Sequence, residues 1–504
     1  MSDIRQKLPF LTKAAFGIGS VGELVFYGMV NTFMGIFYNQ AIGLSNSLVG
    51  VAIMLAMLGD AVSDPVVGMI SDRWRSRLGR RHPFLFLSPL PVAICLYMIF
   101  SPPEFITQTA SGEGINTWLV FSWLAFWTIV SRIFLTLYVI PHLALGGELT
   151  KDPNDRSKLF SMNAIFGYVA GALFAFTAWG VFLGGESVLA DGTAVPKHLD
   201  AAAYPPLVLT SCGLVLFTIL LSAYGTKNRI PYLSAPPAPD GKINLLSFYK
   251  DLIGAFANKN YAFLIIGFFF FMMSVGLNET FSVFVNTYFW ELETREIRWF
   301  GLAVAPAVMV GAILAPHIMK ATDRKPALIG ALIGIVIFVQ LPVDLRLLGL
   351  MPANGAPELL PILLACSAAS MFSLAIAAVA ILSMLGDVAD QNDLNHGLRQ
   401  EGLIYSARAF FAKASNSAGH LIAGVVLDVF VVLPFEAVPG QVDEDVIFRM
   451  GLAAGPLMSV GALIAIPIYA RYRLTRSEHA EILDALNARD NQREDARAAD
   501  PQPA

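Results

Sequence analysis

The stretch Leu359-Leu-Pro-Ile-Leu-Leu-Ala-Cys-Ser-Ala-Ala-Ser-Met-Phe-Ser-Leu-Ala-Ile-Ala-Ala-Val-Ala-Ile-Leu382 contains no Asp, Glu, Lys or Arg. A helix needs roughly 20 apolar residues to cross a hydrocarbon core of about 30 Å, and this run is long enough. Ala262–Val275 and Phe300–Met319 repeat the pattern. Such blocks are too long and too numerous for the buried helices of a soluble domain. Composition agrees, since only 14% of the 504 residues are charged, against about 25% in soluble chains. The sequence is that of an all-α membrane protein.

Outward from that stretch, twelve spans are predicted near 14–41, 47–70, 83–101, 117–146, 158–184, 205–225, 260–289, 299–319, 326–342, 357–385, 402–433 and 447–470. Turn-rich segments separate them, among them Ser101-Pro-Pro, Gly184-Gly, Pro352–Pro357 and Pro434 to Gly440. Arg5, Lys7 and Lys13 precede an apolar stretch that continues past Phe37 without a small-residue cleavage site, so the N-terminus reads as a first span rather than a signal peptide. Cys95, Cys212 and Cys366 lie in apolar helices without metal or redox spacing, and neither zinc nor disulfides are expected. A net charge of −4 gives no reason to expect a nucleic-acid partner.

Orientation follows from Lys and Arg, which favour the cytoplasmic side. The N-terminus, the 71–83 loop with Arg73, Arg75, Arg77, Arg80 and Arg81, the 147–159, 226–259 and 320–325 loops and the tail from Arg471 are basic. The alternate loops hold only Lys197, Arg295, Arg298 and Arg346. Both termini are therefore expected in the cytoplasm, with the chain multi-pass in a cell inner membrane. The 226–259 loop, containing Ser234-Ala-Pro-Pro-Ala-Pro-Asp-Gly, divides the spans six and six. The expected parts are an N-terminal six-helix bundle over 1–225, a cytoplasmic linker over 226–259, a C-terminal six-helix bundle over 260–471 and a cytoplasmic tail over 472–504. The tail reads as a short solvated helix that frays. Asp72-Arg73 follows the second span and Asp323-Arg324-Lys325 the eighth, as parallel six-helix repeats with a site between them predict. The positive-inside rule alone also yields basic loops, so Asp323-Arg324-Lys325 does not decide the matter by itself.

A charge at mid-membrane costs about 2.5–3.5 kcal/mol or more and needs a partner or a purpose. Asp60 and Asp64 lie four residues apart in the second span, facing one way, with Ser63 beside them. Two such carboxylates repel unless one is protonated or a cation sits between them. Oxygen ligands of this kind suit Na⁺ or H⁺ rather than a soft metal. Asp72, nearer the loop, fits the plainer reading of a helix-end aspartate. Lys413, about three turns inside the eleventh span, is too deep to snorkel. Its attraction to Asp60 and Asp64 would close the two halves in the absence of the cation. Asn416, Ser417, His420, Gly424 and Asp428 continue its face. The expected substrate pathway takes in Glu23, Tyr27 and Asn31 of the first span, Thr128, Arg132, Thr136 and Tyr138 of the fourth, and Ser274, Asn278, Ser282 and Asn286 of the seventh. Ser and Asn in such stripes also serve as interhelical glue. His142, next to Pro141, reads as structural.

The run Asp60-Ala-Val-Ser-Asp64-Pro65-Val-Val-Gly68-Met-Ile-Ser-Asp72-Arg73, with Ser76-Arg-Leu-Gly79-Arg80-Arg81-His-Pro83 after it, resembles the signature of the glycoside–pentoside–hexuronide:cation symporters. Tyr138-Val-Ile-Pro141 through Glu148 to Arg156, Gly386-Asp387-Val-Ala-Asp390 and Glu401-Gly-Leu-Ile-Tyr405-Ser through Lys413 agree with it. The resemblance implies the major facilitator fold, two six-helix bundles in a melibiose-permease-like arrangement. It also implies a Na⁺ or H⁺ site at Asp60, Ser63, Asp64 and Thr136, with Lys413 as the coupling residue. Asp72, Arg73, Glu148, Arg156 and Asp387 fall at its cytoplasmic gate. The family's galactoside contacts do not carry over, because Leu24, Val139, Leu143 and Ala164 stand at those positions. Desolvated sugar hydroxyls left unpaired cost about 1–3 kcal/mol each, so a less polar or amphipathic solute is favoured, with Arg132 or Arg408 available to an anion. A different sugar read through Glu23, Tyr27 and Tyr138 stays open.

The function expected is secondary active, cation-coupled symport of a small solute, glycoside-like or amphipathic, by alternating access. The alternative is a proton-coupled exporter of amphipathic compounds. A third reading, a non-transporting sensor or assembly partner, lacks the appended soluble domain it would call for. No cofactor beyond the coupling ion is expected, a monomer suffices, and no nucleophile–base or metal cluster points to an enzyme.

Overall fold

The computed structural model describes residues 8–107, 114–150, 152–189, 192–233, 250, 254–396 and 401–499. Twelve helices in it are long and apolar enough to cross a membrane. They are α1 (Phe10–Ile42), α2 (Asn46–Arg73), α3 (His82–Ile99), α4 (Thr117–Glu148), α5 (Asp155–Phe182) and α6 (Pro205–Tyr232), then α7 (Lys259–Phe289), α8 (Thr294–Thr322), α9 (Arg324–Leu347), α10 (Leu359–Leu394), α11 (Ala407–Val431) and α12 (Glu444–Ala470). Each coincides with a predicted span. Several overrun their apolar cores at the face that carries the termini, here the terminal face. Hydropathy marks only the part in hydrocarbon, whereas hydrogen bonding continues the helix into water. Caps set the starts: Ser45 accepts from the Leu48 amide, Asn258 from the Asn260 and Tyr261 amides, and Glu293 with Glu296 forms a capping box before α8.

Helix packing repeats with an offset of six. The pairs α1–α6, α1–α5, α2–α4, α3–α4 and α3–α6 recur as α7–α12, α7–α11, α8–α10, α9–α10 and α9–α12. The fold is thus two six-helix bundles, and they meet along α2–α11 and α5–α8. Much of the 226–259 linker lies outside the described residues. A short hairpin, β1 (Glu186–Val188) antiparallel to β2 (Ala194–Pro196), sits between α5 and α6.

The tail forms the expected helix, exposed over most of its described residues, and one side of it is held against the protein. Helix α13 (Arg476–Ala499) docks on the end of α10. His479 Nε2 lies 2.9 Å from Asp390 Oδ2, and Arg489 donates to Asp393 Oδ1 at 3.1 Å. Charge pairing with the acidic exit of α10 holds it, a contact that composition alone does not reveal.

At the face opposite the termini, here the distal face, the two bundles are closed on each other. Asp428 at the end of α11 accepts from the Asn46 and Ser47 amides at 3.0 and 2.7 Å, capping α2 of the other bundle. Gln40 donates to Pro434 O and accepts from Tyr288 Oη and the Ala437 amide. His198 Nε2 lies 2.9 Å from Thr287 Oγ1. A Cβ on Gly424 would stand 2.3 Å from Asn46 O, and one on Gly50 would stand 2.8 Å from Leu421 Cα, so only glycine permits this approach.

Candidate functional site

Asp60 and Asp64 project from one face of α2 toward α11, as their spacing requires. Lys413 reaches across from the other bundle and places Nζ 3.2 Å from Asp60 Oδ2 and 2.5 Å from Asp64 Oδ2. Arg132 of α4 approaches Asp60 Oδ2 at 3.5 Å, and its guanidinium lies 5.3 Å from the centroid of the Tyr27 ring. Thr136, one turn along α4, donates to Asp64 Oδ1 at 3.0 Å. Asp60 is 2% exposed. Both cations, Arg132 and Lys413, face its carboxyl group. Asp60 Oδ1 is buried and has no hydrogen-bond partner among the described residues. A cavity of about 270 Å³ adjoins, lined by Asp60, Asp64, Ile140, Phe410 and Lys413. Two carboxylates, a hydroxyl and a displaceable ammonium make a site that a small hard cation or protons can enter in exchange for the lysine.

The other candidates divide. Glu23 and Tyr27 of α1 lie within the same electrostatic neighbourhood, Glu23 near Lys413 and Tyr27 near Arg132. Ser63 Oγ is buried without a hydrogen-bond partner among the described residues. Tyr138 is fully buried and stacks on His142 at 5.0 Å, deep between helices of its own bundle. His142 Nε2 lies 3.1 Å from Phe16 O, a structural arrangement. Thr128 donates to Leu124 O within its own helix. Arg408 lies over the Phe268 ring at 5.7 Å, inside the C-terminal bundle. Asn278 lines a cavity of that bundle together with Ser274, while Ser282 and Asn286 line an adjoining one.

Of the residues expected at the gate, Asp72, Glu148 and Asp387 fall in charged clusters, one in each bundle. Arg81 bridges Asp72 and Glu148, and Arg80 adds a 3.0 Å pair with Glu148. Arg73 is exposed at the end of α2, and Arg156 donates to Thr150 O at 3.3 Å. In the second bundle Arg324 pairs with Asp387 at 2.8 Å, and His479 from α13 lies 3.5 Å from the same carboxylate. These clusters tie helices together within each half at the terminal face.

Sequence reasoning missed Glu279 of α7. Its Oε2 lies 3.3 Å from His420 Nε2, 3.4 Å from Asn416 Nδ2 and 3.5 Å from Asn31 Nδ2 of the first bundle. Thr280 Oγ1 holds His420 Nδ1 at 2.7 Å. The signal was present, for an ionisable side chain deep in a span is a functional candidate by default. It stands one residue off the Ser274–Asn286 stripe and was passed over. Asn31 meets it from a π-helical segment, Met29–Phe33, and such segments shift a helix face and often mark functional sites.

With this geometry in view, comparisons with known proteins place the chain. Residues 15–476 match the family described as MFS/sugar transport protein. The symporter sll1374 of Synechocystis sp. is 24% identical over 96% of this chain and 98% of its own length. The putative glycoside/cation symporter YagG of Escherichia coli is 24% identical over 84% of this chain and 83% of its own. Among solved structures, a bacterial homologue of the human lysosomal transporter Spinster has a TM-score of 0.63 at 14% identity, covering 96% of this chain and 99% of that one, and so shares the fold. A twelve-helix, two-bundle transporter with a carboxylate pair facing a lysine across its interface, the chain belongs to the MFS/sugar transport protein family, of the glycoside/cation symporter type, and is a membrane transporter rather than an enzyme.

Proposed function

We propose that the protein is a cation-coupled symporter that moves a small solute, glycoside-like or amphipathic, by alternating access, with Na⁺ or H⁺ as the coupling ion. The observation that carries this reading is Lys413 of one bundle held between Asp60 and Asp64 of the other. In the distal-closed form the ammonium fills the place of the cation and ties the bundles together. A cation entering at Asp60, Asp64 and Thr136 frees the lysine, loosens the mid-membrane tie and lets the distal side open to solute. Solute entry is coupled to the ion because the distal side stays tied until the ion has freed the lysine. The basic loops on the terminal face support an inner-membrane orientation with both termini cytoplasmic. The working unit in this reading is a monomer, with the 226–259 linker joining the halves and 472–504 as a cytoplasmic tail.

Vesicles carrying Asp60→Asn or Asp64→Asn test it. Each variant should insert normally, exchange solute and fail to accumulate it under a Na⁺ or H⁺ gradient. Full gradient-driven uptake in both variants rejects the assignment. Counterflow in right-side-out and inverted vesicles checks the direction.

A further inference from the structure

The matching rings of the two bundles are filled differently. In the first, α1, α6, α3 and α4 enclose a packed interior, where Phe16 stacks on His142 at 4.2 Å and Tyr138 on its other side at 5.0 Å. In the second, α7, α12, α9 and α10 enclose a chamber of about 230 Å³ walled by Phe271, Val275, Ile335, Val339 and Leu374. A second cavity of about 150 Å³ adjoins it, sharing Asn278, Val339, Ser370, Met371 and Met458. An unfilled void forfeits dispersion contacts in proportion to its volume, and an apolar cavity of about 150 Å³ suffices to bind benzene.

Two observations point to a ligand of mixed polarity. Ser370 is 3% exposed, lines both cavities, and its Oγ has no hydrogen-bond partner among the described residues. Glu279 lines the larger chamber and also meets Asn31, Asn416 and His420, so the apolar space ends in a cluster of hydrogen-bonding groups drawn from both bundles. Asn416 lies one turn along α11 from Lys413, next to the coupling site. Glu279 puts a carboxyl group at the polar end of the chamber, and the permanent cations nearby, Arg132 and Lys413, are already engaged by Asp60 and Asp64. An added anion is disfavoured there.

We propose that this chamber seats the apolar moiety of the transported solute, an uncharged amphipathic glycoside whose hydroxylated head is held by Glu279, Asn31 and Asn416. The inference rests on the symport reading and assigns its substrate class and the place where the solute sits. Glu279 accepts from head hydroxyls, the two asparagines complete their pairing, and Ser370 binds a polar atom on the tail.

The full chain in nanodiscs, without an ion gradient, is titrated with the 4-nitrophenyl β-glycosides of glucose, galactose, xylose and glucuronic acid, each beside its free sugar. At least one neutral aryl glycoside should bind about tenfold tighter than its parent sugar, the gain expected from burying one ring, and the glucuronide should bind weakest. Ser370→Leu and, from another helix, Val339→Phe fill the chamber and should each abolish that advantage. Gradient-driven uptake by the wild-type protein is measured separately in vesicles, so failure of the coupling reading shows there and not in this equilibrium binding. Equal binding of aryl glycoside and sugar, no binding across the panel, preference for the glucuronide, or an advantage that survives both filling substitutions would overturn the proposal.

Discussion

Lys413→Ala removes the ammonium that competes with the coupling ion. In the native arrangement a cation must displace Nζ from contacts of 3.2 and 2.5 Å with Asp60 and Asp64. Removing one partner of a buried pair costs about 3–5 kcal/mol. The lysine is 29% exposed and Asp64 is 23% exposed, so hydration recovers part of that, and half to three-fifths, roughly 1.5–3 kcal/mol, remains for the displacement. The alanine variant spares the ion this cost. Its midpoint should fall by about tenfold to a hundredfold, at 1.4 kcal/mol per factor of ten. Ligand-linked stabilisation of the purified protein reads the midpoint directly, as the rise in melting temperature over a Na⁺ series at fixed pH and over a pH series without Na⁺. In vesicles the same variant should exchange solute without ion dependence. Midpoints for both ions that match wild type, or an ion affinity that weakens, would refute the competition between ammonium and cation.

Gly424→Val puts a side chain where even a Cβ meets Asn46 O at 2.3 Å. The distal face should then fail to close, which thiol labelling of a cysteine placed at Ser47 detects as raised accessibility, while solute exchange drops by at least about tenfold. Burial holds His198 down to about 3 from an ordinary 6.5. Its neutral form is the one that fits, so the stability it supports is complete above about pH 6.5 and is lost as pH falls toward 3, by about 2–3 kcal/mol at pH 4.5. Hydrogen exchange over residues 186–203 should therefore quicken on acidification in wild type, and less so in His198→Gln. Equal acid sensitivity in the two proteins would assign the effect to other groups.

The twelve spans, the six-and-six division and the carboxylate pair were legible in the sequence because each depends on local information. Hydropathy over about 20 residues decides insertion, and a four-residue spacing decides which side chains share a helix face. That Lys413 would need an anionic partner followed from the cost of burying its charge. What only the tertiary structure decided is which groups meet. Arg132 joins Asp60, Tyr138 turns into its own bundle, and Glu279 collects Asn31, Asn416 and His420 from two other helices. These outcomes depend on helix rotation, on a π-helical segment in α1 and on glycines that let α2 and α11 touch. Such features set distances between residues hundreds of positions apart, and periodicity along one helix carries no information about the angle at which its neighbour packs.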